Sequence, residues 1–515
     1  MLDERYKAKI KTAEELFEIL GPPPRQHKVI MCHGTFDVVH PGHVRHLMYA
    51  KSKAAVLVAS LTCDAHIGKA NFRPFVPEEL RALNLAALEM VDYVVIDSEP
   101  TPLKNLAVIK PDYFAKGYEY VASGLHPKSR EEKEVIDSYG GEFLFTPGDI
   151  VYSSSRIIDM EPPNISADKL WALMDAENIS FGDLRAALDR IPGLKVHVVG
   201  DTIVDSYTET TMIGGQTKTP TISVRYEGQR DYVGGAGVVA KHLRAAGAEV
   251  TFTTVLGNDR WKSFVLDDLA QTGITVNAII DETRPTTNKN AIVCGDYRML
   301  KIDTLDNRPI SEKIQAQCQG AISGTLVDCV VFSDFRHGIF SRGSIPDLIK
   351  AIPAGAFRVA DSQVASRWGN ILEFHSFDLI TPNEREARFA LGDQDSVIRP
   401  LALKLFREAK CNNLILKLGE RGLLAYRQRD DLDDLRSFFV VDSFAEHVKD
   451  AVGSGDALLA YATLAEVATH NTVIAAILGA FAAAVECELD GNIPVTPTAV
   501  RKKIDSAERR VHFQG

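Results

Sequence analysis

Two histidines, His40 and His43, stand three residues apart in His40-Pro41-Gly42-His43, directly after a Gly34-Thr35-Phe36-Asp37 turn. Pro41 suits the first turn of a helix, so both imidazoles fall on one face near its positive end. Ring donors placed there fit a nucleotide's phosphates and the charge that develops on a transferred phosphoryl group. Gly42 lets a ribose or base approach the backbone closely, and Asp37 serves equally as a turn cap or a catalytic group. A lone HxxH is more simply two solvent-facing histidines on an ordinary helix. The turn ahead and a serine-rich helix start further on, Tyr152-Ser153-Ser154-Ser155-Arg156, favour chemistry. Hydroxyls at a helix N-terminus, with an arginine beside them, are good phosphate ligands.

A second group lies far along the chain. Lys449-Asp450-Ala451-Val452-Gly453-Ser454-Gly455-Asp456 precedes the apolar helix ALLAYATLAEVA. Gly453 and Gly455 permit turns whose N–H groups converge on an anion at the helix start. Asp456 is placed to accept the proton of a hydroxyl that attacks the γ-phosphate of ATP. The plain alternative is a glycine turn with an acidic first-turn residue.

The elements that hold these groups follow a strand–helix rhythm. Lys28 to His33, AAVLVASL and DYVVID read as strands, and PEELRALNLAALEMV and SREEKEVIDSYG as helices, which implies a small parallel sheet covered on both faces. A second strand, Leu194 to Val199, opens a similar region with VTFTTVLG, DCVVFSD, DLITPN and NLILKLG as strands. The Thr- and Gly-rich stretch at 206–233 reads as antiparallel strands projecting from that sheet as a lid. The expected layout is a first domain over 1–160, a helical linker over 161–194, a second domain over 195–505 and a tail over 506–515.

At 515 residues the chain is long enough for two to four domains. Its formal net charge of −11 disfavours nonspecific binding to nucleic acid or an anionic membrane. Seven cysteines, odd in number and never in a CxxC pair, argue against a disulfide framework and a zinc site. No apolar run reaches about 18 residues, and the charged N-terminus lacks the apolar centre of a signal peptide. The cytoplasm is the expected compartment.

The stretch Val29 to Ile158 resembles the cytidylyltransferase-like family, on the strand, the GTFD turn, HPGH and YSSSR. The resemblance implies that Gly34, Thr35, Phe36, Gly42, Ser153, Ser154, Ser155 and Arg156 bind nucleotide, with His40 and His43 catalytic. Lys69 falls where relatives carry a phosphate-binding lysine, Arg81 matches a helix arginine, and Lys116-Gly117 resembles a family pair; each would otherwise read as a solvated surface cation. The implied reaction joins an NTP to a sugar or polyol phosphate, releasing pyrophosphate by in-line attack with Mg²⁺ and no protein nucleophile.

Residues 195–505 resemble the PfkB/ribokinase family of carbohydrate kinases. AVGSGD matches its DTxGAGD signature, which implies a catalytic Asp456 with Gly453 and Gly455 at the nucleotide. Asp201, Asp205, Gly234 and Gly235 match sugar-contacting positions. Lys417, Gly419 and Gly422 match a nucleotide-proximal strand and turn, and Asn383 and Glu386 an NxxE motif that organises Mg²⁺ indirectly. Val238 stands where relatives commonly carry Asn, and Ser454 replaces an alanine. The expected fold class is α/β: a Rossmann-like HxGH nucleotidyltransferase domain, then a ribokinase-like α/β domain with a small β lid.

The pairing resembles the bifunctional heptose kinase/adenylyltransferase family with its domain order reversed. That resemblance implies ATP for the kinase half, ATP or CTP for the transferase half, a heptose 7-phosphate-like sugar and ADP-heptose-type nucleotide-sugar synthesis. A homodimer through the kinase lid is a further expectation. A polyol-phosphate cytidylyltransferase with an attached kinase, or a chain with one regulatory half, are the alternatives.

Overall fold

Near-continuous apolar runs produce the strands, because a strand buried on both faces has no polar side to alternate with. The computed structural model describes residues 4–67, 74–117, 127–146, 166–214, 222–364, 369–428, 437–489, 491 and 493–512. The chain divides into two compact units, Met1–Ala172 and Leu173–Gln514.

In the first unit, β1 (Val29–Gly34), β2 (Val56–Thr62), β3 (Tyr93–Asp97), β4 (Tyr113–Gly117) and β5 (Glu142–Thr146) form one sheet in the order β3-β2-β1-β4-β5. Every pairing is parallel. The helices are α1 (Glu4–Lys7), α2 (Ala13–Leu20), α3 (Pro41–Lys51), α4 (Glu78–Ala86), α5 (Leu103–Ile109) and α6 (Pro127–Ser138). Two apolar clusters cover the sheet: one includes Ile30, Leu47, Leu57, Leu85 and Val94, the other Leu16, Met31, Val58, Leu106 and Phe114. Ile30 and Met31 fall in different clusters because neighbouring strand residues face opposite ways. The strand order reverses beside β1, so the crevice at its carboxyl end is where such a sheet binds ligands.

α7 (Ser166–Ala176) and α8 (Phe181–Asp189) follow. In the second unit, β6 (Lys195–Gly200), β9 (Glu249–Leu256), β10 (Thr275–Ile280), β13 (Cys329–Asp334), β14 (Phe357–Ser362), β15 (Leu379–Ile380), β16 (Asn413–Lys417), β17 (Leu423–Arg427) and β18 (Phe438–Val441) build a nine-stranded sheet. Its order is β10-β9-β6-β13-β14-β15-β16-β17-β18. Pairing is parallel as far as β16, and β17 and β18 add antiparallel. The helices here are α9 (Ala236–Ala245), α10 (Arg260–Gln271), α11 (Glu312–Ser323), α12 (Ile345–Lys350), α13 (Glu384–Leu391), α14 (Ile398–Ala409), α15 (Ser454–Thr469), α16 (Thr472–Cys487) and α17 (Pro497–His512). α15 and α16 are buried almost all round, as their unbroken apolar sequences require.

The lid extends beyond the antiparallel strands read at 206–233. β7 (Thr202–Gly214) and β8 (Ser223–Gly235) pair antiparallel as expected, but β11 (Thr287–Cys294) and β12 (Tyr297–Thr304) join them in the order β12-β11-β7-β8. β11 lies parallel to β7, a long-range pairing that local turn signals do not announce. DLITPN contributes only the two-residue β15. Among the described residues no helix is long and apolar enough to cross a membrane.

Candidate active sites

The first site grows from the end of β1. Phe36 takes a positive φ of 49°, a conformation costly for a bulky residue and most often seen at functional turns. His40 caps α3 from an extended conformation, and its Nδ1 accepts the Gly42 N–H at 3.1 Å. That bond leaves the ring proton on Nε2, a donor facing away from the backbone. The His40 and His43 rings stack with centroids 3.9 Å apart, and Phe36 meets His43 edge-on at 5.2 Å. Burial, reinforced by His40 and His46, pushes the His43 pKa down to about 4, so the ring is neutral at physiological pH. Burial lowers the His40 pKa as well.

Other polar groups brace this crevice. The Asp37 carboxylate accepts the Val76 N–H at 2.8 Å, which is a turn-holding role. Arg81 is fully buried. Its guanidinium donates to the carbonyls of Val76, Thr35 and Thr62 at 2.9, 2.5 and 2.9 Å and to Asp64 Oδ1 at 2.6 Å. These protein partners tie the ends of β1 and β2 to α4. Lys116 forms a buried ion pair with Glu132. Gly34, Thr35, Phe36, His40, Gly42 and His43 thus gather at one end of the sheet. Lys69 and Ser153, Ser154, Ser155 and Arg156 lie outside the described residues.

The second site lies along the carboxyl ends of the parallel strands. Lys417 ends β16, and its Nζ meets Asp361 Oδ1, near the end of β14, at 2.9 Å. Thr381 Oγ1 donates to the same carboxylate at 2.9 Å. Asn383 and Glu386 form a capping box on α13: Glu386 N–H donates to Asn383 Oδ1 at 2.9 Å, and Asn383 N–H to Glu386 Oε2 at 2.7 Å. Gly453, at φ 88°, caps α15, and the Asp456 N–H reaches back to its carbonyl at 2.9 Å. A Cβ on Gly455 would sit 3.5 Å from Lys417 Nζ, so the glycine turn and the lysine are neighbours.

Burial pushes Asp456 up to about 7, with Asp361 adding to the shift and Lys417 opposing it. Glu386 is pushed to about 7 by the same burial, again with Lys417 opposing. Burial alone would lower Lys417, but Asp361 and Glu386 outweigh it and hold the ammonium charged. One cation therefore serves three acids. Gly419 and Gly422 take positive φ in the turn after Lys417.

At the sugar-side positions the matched residues divide their work. The Asp201 carboxylate accepts N–H groups of Phe335 and His337 at 3.1 Å each and of Ile339 at 3.4 Å. It therefore anchors the loop after β13. Asp205 shares one lid face with its register partners Tyr232, Lys289 and, across β11, Asp303. A side chain on Gly234 would overlap the Asp205 carboxylate, and one on Gly235 would meet the Asp201 carbonyl at 2.5 Å. Gly235, at φ 59° against backbone, is required by close approach, whereas a side chain at Gly234 would displace the Asp205 carboxylate. Asp334, Asp361, Lys289 and His337 were not singled out from sequence; Asp334 closes a buried strand and Asp361 stands one residue before the end of another, the one local signal that marks them.

The parallel five-stranded sheet is a Rossmann-like unit, and the nine-stranded sheet with its lid is a ribokinase-like phosphotransferase fold. The chain belongs to the pfkB family carbohydrate kinases, whose model matches residues 194–499. The cytidylyltransferase-like model matches residues 31–160. Bifunctional protein HldE of Geobacter metallireducens is 39% identical over 155 residues, covering 30% of this chain and 31% of that protein. Its counterpart from Pelobacter propionicus is 25% identical over 326 residues, covering 62% and 64%. Each of these alignments spans less than two thirds of the relative. Among solved structures, the tetrameric inhibited form of phosphofructokinase-2 from Escherichia coli aligns with a TM-score of 0.50 and 17% identity, covering 61% of this chain and 100% of that one. At that identity the likeness speaks to fold.

Proposed function

We infer that the chain is a bifunctional enzyme of nucleotide-sugar synthesis. Residues 195–505 phosphorylate a sugar with ATP, and residues 1–160 transfer a nucleotidyl group to a sugar 1-phosphate. The observation that carries the reading is the pair of separate constellations, stacked His40 and His43 at one sheet end and Asp456 beside Lys417 at another.

In the kinase half, Asp456 accepts the proton of the attacking sugar hydroxyl as its oxygen bonds to the γ-phosphorus and ADP leaves. Lys417 stays charged beside the glycine turn, and the positive end of α15, with the glycine turn before it, faces the phosphoryl oxygens. Gly419 and Gly422 shape the nucleotide-side turn. Asp201 and Gly235 fix the sugar-side loop, and Gly234 leaves room for Asp205 to meet sugar hydroxyls. Asp361, Asp456 and Glu386 around Lys417 leave the site acidic, but among the described residues they form no ready-made metal-ligand cluster, so Mg²⁺ would be held mainly through the nucleotide's phosphates and water. Glu386 and Asn383 would hold the ion through water or phosphate, where it neutralises the transferred charge.

In the transferase half, a sugar phosphate oxygen attacks the α-phosphorus and pyrophosphate departs. His40 offers Nε2–H to the phosphates, and neutral His43, stacked against it, presents its ring to the transferred phosphoryl group. Gly34, Thr35, Phe36 and Gly42 form the turn against the nucleotide. Lys69 and Ser153 to Arg156 complete the phosphate contacts in this proposal, and Arg81 holds the turn from behind. A heptose 7-phosphate-like substrate and ATP in both halves follow from the family resemblance, and the cytoplasm is the proposed compartment. The lid leaves Met212, Ile213, Tyr226, Tyr297, Leu300 and Ile302 exposed, which favours a homodimer through that sheet.

A nucleotide and sugar panel tests the reading. ATP-dependent ADP formation with a heptose 7-phosphate, and pyrophosphate release from ATP with a sugar 1-phosphate, are expected. Pyrophosphate release with CTP and a polyol phosphate alone would sink the heptose reading.

A further inference from the structure

α3 carries a third histidine that no motif predicted. His46 follows His43 by three residues, so His40, His43 and His46 line one face of the helix. Its Nδ1 lies 2.7 Å from Thr146 Oγ1. Thr146 is the last residue of β5, is almost fully buried, and directs its hydroxyl to the Lys116 carbonyl at 3.3 Å. With the threonine proton given to that carbonyl, the proton between the two side chains belongs to the histidine. Nδ1 is therefore the donor in His46, whereas in His40 Nδ1 is the acceptor. Leu47 and Ala50 pack α3 into the core and Lys51 pairs its far end with Asp92, while the two histidine bonds act at the end of the helix that presents the rings. His40 secures its first turn to its own backbone, and His46 secures its second turn to the end of β5.

We propose that His46 is a positioning residue for nucleotidyl transfer: the Nδ1–H···Thr146 bond fixes the inward face of α3 and so the place of the His43 ring one turn earlier. The proposal rests on the transferase reading. The reason for such a device is steric. His43 is held by ring contacts with His40 and Phe36 and by a backbone hydrogen bond at Val38. All of these lie within the turn before α3 and its first turn, so the place of the ring still depends on where the helix itself sits. Misplacement by about 1 Å costs a reaction on the order of a hundredfold. A hydrogen bond between a buried hydroxyl on the sheet and the helix removes that freedom. The Lys116–Glu132 ion pair at the end of β4 holds the neighbouring strand at the same level.

The test is a double-mutant cycle in the full chain, read by pyrophosphate release with ADP formation by the other half as a folding control. His46→Leu and Thr146→Val should each lower kcat by about tenfold to a hundredfold, with KM for the nucleotide within about threefold. The double variant should be no worse than either single one, because both remove the same bond. His46→Asn, which keeps a donor near the Nδ1 position, and Thr146→Ser should each recover most of the rate. Unchanged kcat in His46→Leu, or losses that multiply in the double variant, would overturn the proposal. If His46→Leu does not fold, His46→Asn and Thr146→Ser decide it: loss of rate in both means that the bond is not what positions the ring. Nitrogen NMR of His46 in the resting wild type reads the Nδ1–H tautomer without any turnover. A correct tautomer in a chain that releases no pyrophosphate would sink the transferase reading, whereas an Nε2–H tautomer in an active chain would sink this inference.

Discussion

Lys417 and Asp361 form a 2.9 Å ion pair between the ends of two strands that are not neighbours in the sheet, β15 lying between them. The pair spans the floor from which Asp456 and Glu386 rise. Its effect is electrostatic: one part-buried ammonium limits how far burial can push Asp456 and Glu386 toward neutrality.

Replacing Lys417 with Met should therefore act on the pH profile as well as on rate. Lys417 lowers the Asp456 pKa from what burial alone would give, so its loss moves the acid limb of ADP formation to higher pH. We expect kcat to fall by roughly 10²–10³, the scale of losing one charge-stabilising donor, while pyrophosphate release is unchanged. A fall in rate with no shift of the acid limb would contradict this account.

Gly234→Ala tests the close approach beneath the lid. The new methyl would overlap the Asp205 carboxylate, and the carboxylate must swing off its position beside Lys289. KM for the sugar should rise on the order of tenfold, the scale of one lost hydrogen bond to a charged group. KM for ATP should stay within about twofold. Steady-state kinetics with each substrate varied in turn make the check.

These two predictions differ in how much of their basis the sequence held. Gly234 and Lys417 were visible because they sit in local motifs. Asp361 was not, since its role depends on β14 and β16 being brought within reach of each other by α13 and α14. The two units' sheets were legible from apolar runs, and the β7–β8 hairpin from its alternation. The place of β11 and β12 in the lid was not, because β11 pairs with β7 about 80 residues away and β12 joins only through its short hairpin with β11. Arg81 reads from sequence as a phosphate ligand on a helix; only the tertiary structure places four protein acceptors around it. His46 lacks a motif, and its partner Thr146 is 100 residues distant.

Arg81→Lys should report on that brace. A lysine cannot supply donors to Val76, Thr35, Thr62 and Asp64 at once, so several buried acceptors lose their partners. The cost expected is about 3 kcal/mol, as for a broken buried charge pair. Thermal unfolding followed by fluorescence should show the loss in an early transition, with ADP formation preserved at temperatures below it. A stable variant whose only defect is a raised nucleotide KM would instead make Arg81 a direct ligand.

Asp456 couples function to stability with opposite signs. Its pKa in the folded chain is about 7 against an ordinary 3.8, so the folded state holds a proton that the unfolded state has released across that window. Stability from this group is complete below the ordinary value and is lost as pH rises through about 7. The reaction needs the deprotonated form, so kcat/KM for ADP formation should rise over the same range. Asp456→Asn keeps the shape and removes the charge. It should abolish ADP formation, leave pyrophosphate release intact, and raise the melting temperature at pH 8 more than at pH 5. Thermal scans at the two pH values, beside both assays, measure all three, and a variant that still forms ADP at the wild-type rate would remove Asp456 from the mechanism.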